Sequence, residues 1–460
     1  MLTTSARRFA NQWGRLALIL WCGGQVGAFS QPFSQPNTNS APIIVTATNL
    51  ASRHLTLAEA RSLAFQRNWD LLAARSDVDL STAQKIVTKE FPNPALAWSM
   101  SKMPINSQPA GTEHGNGLWD RSYDTVESVN QLFEIGGKRH SRQISADHGL
   151  KASRARLEDA RRLLELGVTK AYIAALQADL NAQTLHDSAA SLRREAEIAK
   201  VRLQAGDIST ADKSQIEILA DRFELDAQSS EANALTLRIS LENLIGVPKP
   251  TGEWTAADGL DTLLGTPSYE TEPLTLPVRP DLVAAESSLR KAEADLKLQK
   301  ALRIPDPTVM LMYEHEPPEA SQTIGLGLSF PLPLWNRNRG AIKAAEAVRE
   351  QAAVQVAKVQ GQIAAEIASA RAAYREASAR HANYQSNIRP KSAEILKTIS
   401  FAYAKGGASL LDLLSAQRND NEVRLATVQA AADAAATLAT LKATLAKAEE
   451  TLAKPPPQPK

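Results

Sequence analysis

The sequence predicts a mainly α-helical fold, built from two copies of a long helical hairpin, with a small β part of four short strands. Three observations lead to this prediction: long proline-free stretches, motifs that recur at a shift of about 200 residues, and short segments of strictly alternating polarity. Of the 460 residues, 43% are hydrophobic but only 5% are aromatic, and alanine is abundant. This composition favours helices that pack through small side chains.

Charge and cysteine content exclude several classes of function. The 52 basic and 50 acidic residues are balanced, which gives no electrostatic case for nucleic-acid binding. One cysteine cannot form an internal disulfide or a thiol redox pair. Beyond the first thirty residues there is no 18-residue apolar run, which excludes a polytopic helical membrane protein. No Ser/His/Asp or Cys/His arrangement stands out, so we predict neither an enzyme nor a cofactor.

The first residues predict export from the cytoplasm. Residues 1–28 resemble a signal peptide, because Arg7, Arg8 and Arg15 precede a short apolar stretch ending at Cys22, and small residues follow at Val26-Gly27-Ala28. Lipidation of Cys22 is disfavoured, since Trp21 occupies a position where lipoprotein processing needs a small residue. Residues 29–53 are rich in Pro, Ser, Asn and Thr and predict an extended arm.

Two long helices form the first predicted hairpin. One runs from Arg139 to Gln204, and Gly206-Asp207 ends it. Ser209 can cap the next helix. That helix spaces its apolar residues by about 3.5, with one four-residue slip, as in a coiled coil that locally unwinds. These residues are Ile216, Leu219, Phe223, Ala227, Ala234, Leu237, Leu241 and Leu244.

The second half repeats this pattern. A helix begins near Arg339, is interrupted at Pro390 and ends at Lys405-Gly406-Gly407, and another runs from Ser409 to about Ala453. Gly206, Ser209 and Asp212 recur as Gly406, Ser409 and Asp412. We therefore predict a first repeat over 54–246 turning at 206, a linker over 247–276, a second repeat over 277–453 turning at 406, and a Pro-rich tail over 454–460.

Each repeat also carries a predicted strand pair, at about 94–135 and 307–334. Residues 323–330 alternate strictly between apolar and small or polar side chains, as in a strand of a bilayer-spanning barrel. A soluble half-buried sheet shows the same alternation. Four strands cannot close a barrel, so several chains would have to share one. Aromatic residues at or beyond the segment ends are candidates for a membrane girdle: Trp98, Trp119, Tyr123, Tyr313 and Trp335.

Several motifs resemble the TolC family of outer-membrane efflux proteins. Leu55–Ala60 with Arg67–Leu71 resembles the family's opening helix, although Trp69 replaces a usual proline. Phe91-Pro92-Asn93-Pro94 resembles the turn into the first strand. The segments Glu134–Arg139 and Pro331–Gly340 resemble the strand-to-helix junctions of the branch that exports heavy metals (cobalt, zinc and cadmium, or copper and silver), and Tyr403–Gly406 through Asp412–Leu414 resembles the second periplasmic turn.

This resemblance implies a complete architecture and a function. It implies a homotrimer in outer-membrane lipid, with four strands per chain in a 12-stranded β-barrel above a periplasmic α-barrel. The partners would be a periplasmic adaptor protein and an inner-membrane pump of the resistance-nodulation-division class. The channel would passively conduct substrates to the outside, either metal cations or small toxic compounds.

The resemblance also implies roles for residues at the hairpin turns. Asp212, Asp412 and Tyr403 match positions of a periplasmic gate, although both aspartates are equally explained as helix-start acids. Ala408 and Ser415 replace a gate-bridging arginine and a second aspartate, which leaves Arg202, Lys405 and Arg418 as candidate substitutes. The predicted adaptor-docking turns are Gly206, Asp207, Lys405, Gly406 and Gly407.

Two alternatives to this function remain at the level of sequence: a periplasmic adaptor or coiled-coil scaffold with a soluble sheet, and a type I protein-secretion duct of the same fold. Glu314-His315-Glu316 contains metal-ligand residue types, but the sequence favours a solvated loop there, and we predict no metal site.

Overall fold

The computed structural model describes residues 54–101, 124–264, 277–316 and 320–447. The predicted signal peptide, the N-terminal arm and the Pro-rich tail lie outside these residues. The helices are α1 (Leu57–Arg67), α2 (Trp69–Val87), α3 (Lys138–Gln204), α4 (Thr210–Ile245), α5 (Leu260–Leu263), α6 (Pro280–Ala301), α7 (Arg339–Asn383), α8 (Arg389–Ala404) and α9 (Leu410–Leu445). The strands are β1 (His54–Leu55), β2 (Ala95–Ser101), β3 (Asp124–Leu132), β4 (Thr255–Ala256), β5 (Thr308–Glu316) and β6 (Ala320–Ser329).

The same helical hairpin occurs twice. Helices α4 and α9 each contain 36 residues and begin 200 positions apart. Helix α3 contains 67 residues, and α7 with α8 spans the corresponding stretch of the second half. In α4 the heptad positions Ile216, Leu219 and Phe223 are buried, as their spacing predicts.

Pro390 does not interrupt the second long helix, contrary to our expectation. A π-helical turn at Tyr384–Ile388 joins α7 to α8, and Pro390 lies in the first turn of α8. Proline lacks an N–H group, and its ring collides with the carbonyl four residues earlier in a regular α-helix. The wider π turn relieves this collision, so the helix continues through the proline.

Helix α9 is shorter than the predicted helix ending at Ala453. It ends at Leu445, and Ala446 has extended backbone angles. Leu441 and Thr444 are the last side chains of the helix that are buried. Because packing stabilises most protein helices more than intrinsic propensity does, the alanine-rich sequence alone overestimates the helix length.

The segment between the repeats is part of the core. Trp254 is fully buried and stacks on Tyr172 with ring centroids 5.8 Å apart. The Tyr172 hydroxyl donates to the carbonyl oxygen of Leu55 at 2.8 Å. Burial raises the pKa of Tyr172 to about 12, which keeps this donor protonated. Strands β1 and β4 pair in parallel at the same place, so the predicted linker over 247–276 also anchors the start of the first repeat.

The caps in this core fix where helices meet. Thr56 and Glu59 form a capping box on α1, and Asn68 caps α2 in the place where Trp69 replaces the expected proline. Gly246 ends α4 with φ of +91°. A Cβ there would lie 2.4 Å from the carbonyl oxygen of Arg67, so only glycine fits this close approach.

The long helices form one layer with two free edges. Toward the sheet, α2 packs on α3, α3 on α6, and α6 on α7. Toward the hairpin turns, α4 packs on α3, α3 on α9, and α9 on α8. Helices α2 and α7 therefore lie at the edges of the first part, and α4 and α8 at the edges of the second. Among the described helices, none is long and apolar enough to cross a membrane.

The four-stranded sheet is antiparallel with the order β2-β3-β5-β6. The registers pair Leu96 with Val129, Val129 with Leu311, and Leu311 with Leu326, which places these four side chains on one face. The strand expected near Thr125–Ile135 is found at Asp124–Leu132. It contributes Val129 to the apolar row, although its sequence alone shows no apolar face.

Candidate functional site: the two-faced sheet and the hairpin turns

The two faces of the sheet differ in polarity. One face exposes large apolar side chains to solvent, with Ile324 and Leu326 each 80% exposed. The opposite face carries mainly small or polar residues, among them Ser99, Ser128 and Asn130, but it also includes Val126, Met310 and Met312. An exposed apolar face opposite a polar face is the pattern of a strand with lipid on one side and an aqueous lumen on the other.

The aromatic residues predicted to form a girdle lie at different places. Trp98 and Tyr313 both pair with Glu127, so these two aromatics flank a carboxylate on the apolar face. Trp98 is the fourth of the seven residues of β2, not at its end as expected. Trp335 follows β6 and is 93% exposed. Trp119 and Tyr123 lie outside the described residues.

Three carboxylates meet on the polar face near the end of the sheet farthest from the helices. Asp124, Glu314 and Glu316 have oxygen atoms that all lie within 4.8 Å of one another. His315 lies on the opposite face of β5, because side chains alternate along a strand. The structure therefore replaces the loop expected at Glu314–Glu316 with strand, and groups the two glutamates with an aspartate of β3. Exposed acidic groups of this kind are common without an ion, so they are not by themselves a metal site.

The two hairpin turns have the same geometry. Gly206 and Gly406 adopt left-handed backbone angles, with φ of +83° and +76°. Each is followed by an N–H group that bonds back to the preceding helix: Asp207 to the carbonyl of Arg202 at 2.9 Å, and Gly407 to that of Ala402 at 2.8 Å. These bonds satisfy carbonyls that would otherwise lack partners at the helix ends. Lys405 and both glycines are exposed, so the turns present a free surface.

Asp212 and Asp412 both cap helices. Each forms a capping box with the serine three residues before it, Ser209 or Ser409. The Ser409 hydroxyl donates to Asp412 at 2.6 Å, and the backbone N–H of Ser409 donates at 3.1 Å. These hydrogen bonds stabilise the charged carboxylate and hold the pKa of Asp412 below its usual range. Asp412 is exposed, whereas Asp212 is half-buried.

Tyr403 is linked to the other hairpin through Arg202. The guanidinium of Arg202, near the end of α3, lies 5.2 Å from the ring centroid of Tyr403, near the end of α8. This distance is within the range of a cation–π interaction. Of the three cations considered as substitutes for the missing arginine, Arg202 thus contacts Tyr403, while Lys405 lies over Phe401 at 5.8 Å.

A double-mutant cycle tests this contact. We expect Arg202→Ala and Tyr403→Leu to show a coupling energy of about 0.5–1 kcal/mol, the usual size for an exposed cation–π pair. Tyr403→Phe keeps the ring and should keep the coupling. Lys200→Ala is the control, since Lys200 is close in sequence but pairs with Glu197. Chemical unfolding of the four cycle members measures the coupling, and a value near zero would contradict the contact.

A buried charge that the sequence did not indicate lies near the turns. Asp420 is 2% exposed in α9 and accepts hydrogen bonds from Arg389 at 2.8 Å, Arg424 at 2.7 Å and Ser392 at 3.0 Å. These contacts attach α8 to α9 directly after the π turn. The sequence places Arg424 four residues after Asp420, which could have indicated an ion pair. Such a pair usually lies on a solvated helix face, however, so it did not indicate burial.

Comparisons with known proteins agree with this geometry. A family model described as outer membrane efflux protein matches residues 60–247 and 274–447. The chain is 24% identical over 402 residues to the cobalt-zinc-cadmium resistance protein CzcC of Cupriavidus metallidurans, which covers 86% of this chain and 90% of that protein.

Solved structures show the same fold. CusC superposes with a TM-score of 0.70 at 17% identity, covering 85% of this chain and 92% of that one. The open state of the MtrE outer membrane channel of Neisseria gonorrhoeae superposes with a TM-score of 0.68 at 20% identity, covering 85% and 88%. The predicted outer-membrane efflux channel is confirmed at the level of family and fold: this chain belongs to the outer membrane efflux protein family.

Proposed function

We propose that three copies of this chain form one outer-membrane channel that carries solutes from the periplasm to the outside without a catalytic step. The observation that carries the proposal is the open sheet. Among the residues that the structure describes, no strand pairs with the outer edges of β2 and β6, while the same sheet exposes Leu326 and Ile324. An open edge cannot be left in hydrocarbon, and the smallest barrels have about eight strands. Three copies would give twelve strands and no edge.

The helical layer supports the same assembly, because each of its free edges carries exposed apolar residues. On the first part, α2 exposes Leu80 and Val87, and α7 exposes Val348 and Val354. On the second part, the exposed residues are Ile218 and Leu225 of α4 with Ile395 and Phe401 of α8. An edge α2 that meets an edge α7 of the next copy is a head-to-tail contact, which produces a closed ring.

The sheet would anchor this ring in the outer membrane, after export directed by the signal peptide. Glu127 lies between Trp98 and Tyr313 on the apolar face. On the apolar face, a carboxylate is tolerated at the level of the lipid headgroups, where aromatic girdles lie. At the bilayer centre its charge would carry a high free-energy cost. We therefore place Trp98 and Tyr313 in a membrane girdle. Trp335, Trp119 and Tyr123 remain candidates for it.

The hairpin turns would form the periplasmic end of the channel. Three copies of Asp412 would make a ring of exposed carboxylates, which favours cations and narrows the pore. Asp212 and Tyr403 are the accompanying gate candidates. The exposed turns at Gly206-Asp207 and Lys405–Gly407 would dock a periplasmic adaptor, and through it an inner-membrane pump of the resistance-nodulation-division class.

Variants at Ser409 and Asp412 separate the gate from the cap. Asp412→Asn keeps a capping acceptor but removes the charge, so we expect lower cation selectivity and weaker block by divalent cations. Ser409→Ala weakens the cap but keeps the charge, and should leave selectivity unchanged. Asp412→Ala removes both and should also enlarge the conductance. Single-channel recording measures these effects, and identical currents in Asp412→Asn and wild type would contradict the gate.

The pH dependence of the cap follows from the same carboxylate. The pKa of Asp412 in the single chain is below the ordinary aspartate value of 3.8, so its charge is retained as the pH falls to that value. The capping contribution to stability should therefore be present above pH 3.8 and lost only below it. The difference in unfolding free energy between the wild type and Asp412→Asn, recorded from pH 7 to pH 3, measures this, and a loss of that difference centred near pH 5 would contradict the capping role of Asp412.

We propose heavy-metal cations as the solute. The support is the likeness to CzcC, named for cobalt-zinc-cadmium resistance, together with the acidic ring. Deletion of the gene in its host tests this. We expect sensitivity to zinc, cadmium and cobalt salts, restored by the wild-type gene, with unchanged secretion of exported proteins. A deletion strain that loses a secreted protein but keeps its metal resistance would favour the protein-secretion duct instead.

A further inference from the structure

Two methionines on the polar face of the sheet are out of place for a wall of an aqueous lumen. Met310 and Met312 of β5 point to the side opposite Leu311 and Tyr313, because side chains alternate along a strand. Lumen-facing residues of membrane barrels are usually polar. Their neighbours follow that rule: Met310 pairs with Asn130, and Met312 pairs with Ser128.

Two glycines make space for these side chains. Met312 pairs with Gly325 and Met310 with Gly327 on the neighbouring strand β6. A Cβ at Gly325 would lie 2.7 Å from the Cγ and 3.0 Å from the Sδ of Met312. A Cβ at Gly327 would lie 2.7 Å from the Cε of Met310 and 3.9 Å from the Cε of Met312. Both methionine side chains therefore lie along β6, and their Cε methyl groups both lie within 4 Å of the Cβ position of Gly327.

Two neighbouring thioether side chains favour a particular class of cation. Sulfur ligands without charge bind soft monovalent cations such as Cu(I) and Ag(I), whereas carboxylate and carbonyl oxygens suit hard cations. Both methionines are half-buried, so the pair is partly accessible from the polar face. A neutral pair of ligands also binds weakly enough for a cation to leave again, which conduction requires.

We propose that Met310 and Met312 form a thioether site for soft monovalent cations on the lumen wall of the channel. The site would bind such a cation transiently during its passage, and it is distinct from the acidic ring at the hairpin turns. The proposal rests on the proposed function in one respect, since it takes the polar face to line the lumen.

Silver titration of the purified full-length protein in chloride-free detergent solution tests the site. We expect Met310→Leu with Met312→Leu to lower the Ag(I) affinity by about tenfold or more, because leucine matches methionine in volume but has no sulfur. Met100→Leu is the matched control, since Met100 lies on the apolar face opposite Thr125. Silver X-ray absorption should show sulfur neighbours in the wild type and in the control, but fewer in the double variant.

The outcomes separate the site from the channel. Equal Ag(I) affinity and equal sulfur coordination in the double variant and the wild type would overturn the thioether site, even if the protein forms cation-conducting pores. Lower Ag(I) affinity with unchanged Zn(II) affinity would support it. If the folded protein forms no pores, the proposed function fails, while the titration still decides whether the two methionines bind silver.

Discussion

Replacing Leu326 by lysine should remove this protein from the membrane. Leu326 lies on the apolar face beside Leu311, and its side chain is 80% exposed in the single chain. A lysine on the lipid face of a barrel strand costs from about 0–1 kcal/mol near the interfaces to about 2–4 kcal/mol at the bilayer midplane, and the cost would recur in each copy. We expect Leu326→Lys to disappear from the outer-membrane fraction and to be degraded.

The control for this variant is a lysine at similar depth on the opposite face. Asn130 adjoins Val129, which pairs with Leu311, but its side chain points to the polar face. Asn130→Lys should insert normally, because an aqueous lumen solvates the charge. Membrane fractionation and immunoblotting of both variants measure the difference. Equal insertion of the two lysine variants would contradict the assignment of lipid and lumen faces.

Asp420→Ala should cause a large loss of stability. Asp420 is buried and accepts hydrogen bonds from Arg389, Arg424 and Ser392. Three charge-assisted hydrogen bonds would be lost, two from guanidinium groups and one from a hydroxyl group, which we estimate at about 2–4 kcal/mol per subunit. The effect should be local at first, with the junction of α8 and α9 exchanging amide hydrogens faster than the rest.

Asp433 provides the matched control for this variant. It lies in the same helix and pairs with Arg380 at 2.8 Å, but its side chain is 34% exposed and that of Arg380 is 42% exposed. Exposed ion pairs contribute about 0–1 kcal/mol, so Asp433→Ala should have little effect. Denaturant unfolding followed by circular dichroism, with hydrogen exchange, compares the two. Similar losses for Asp420→Ala and Asp433→Ala would mean that burial does not strengthen the Asp420 contacts.

The sequence predicted the parts of this fold that depend on local chemistry. Glycines at 206 and 406 and the serines three residues later mark turns and caps, because few residues adopt those conformations or supply those acceptors. Heptad spacing identified six of the nine buried residues of α4 and did not include Ala220, Glu242 and Ile245. The start of α3 was displaced by one residue only, at Lys138 in place of Arg139.

The features that the sequence did not predict depend on contacts between distant residues. Trp254 lies in a segment that composition assigns to a linker, but it fills the core because β4 pairs with β1. Asp420 has a charged side chain, which ordinarily lies on a surface, but it is buried here because Arg389 from another helix pairs with it. The apolar row across β3 emerges only from its register with β2 and β5, since alternation within β3 is weak.

The sequence predicted where the residues of the candidate site lie better than it predicted what they do. The capping boxes explain why Asp212 and Asp412 lie at helix starts, and the resemblance alone suggested that they also act as a gate. Arg202 could be named as a candidate because a cation was expected near Tyr403, but only the structure distinguishes it from Lys405 and Arg418. The sequence did not indicate that Met310 and Met312 form a site, because the residues beside them on the neighbouring strands are known only from the strand pairing.

One copy of this chain has too few strands to close a barrel, and we propose that identical copies complete both the sheet and the helical layer. The mass of the full-length protein, purified in detergent and measured by native mass spectrometry, distinguishes this assembly from a single chain. We predict a mass of three chains that persists on dilution and is lost only on unfolding. A folded single chain that stays dispersed when the detergent is removed would contradict the claim.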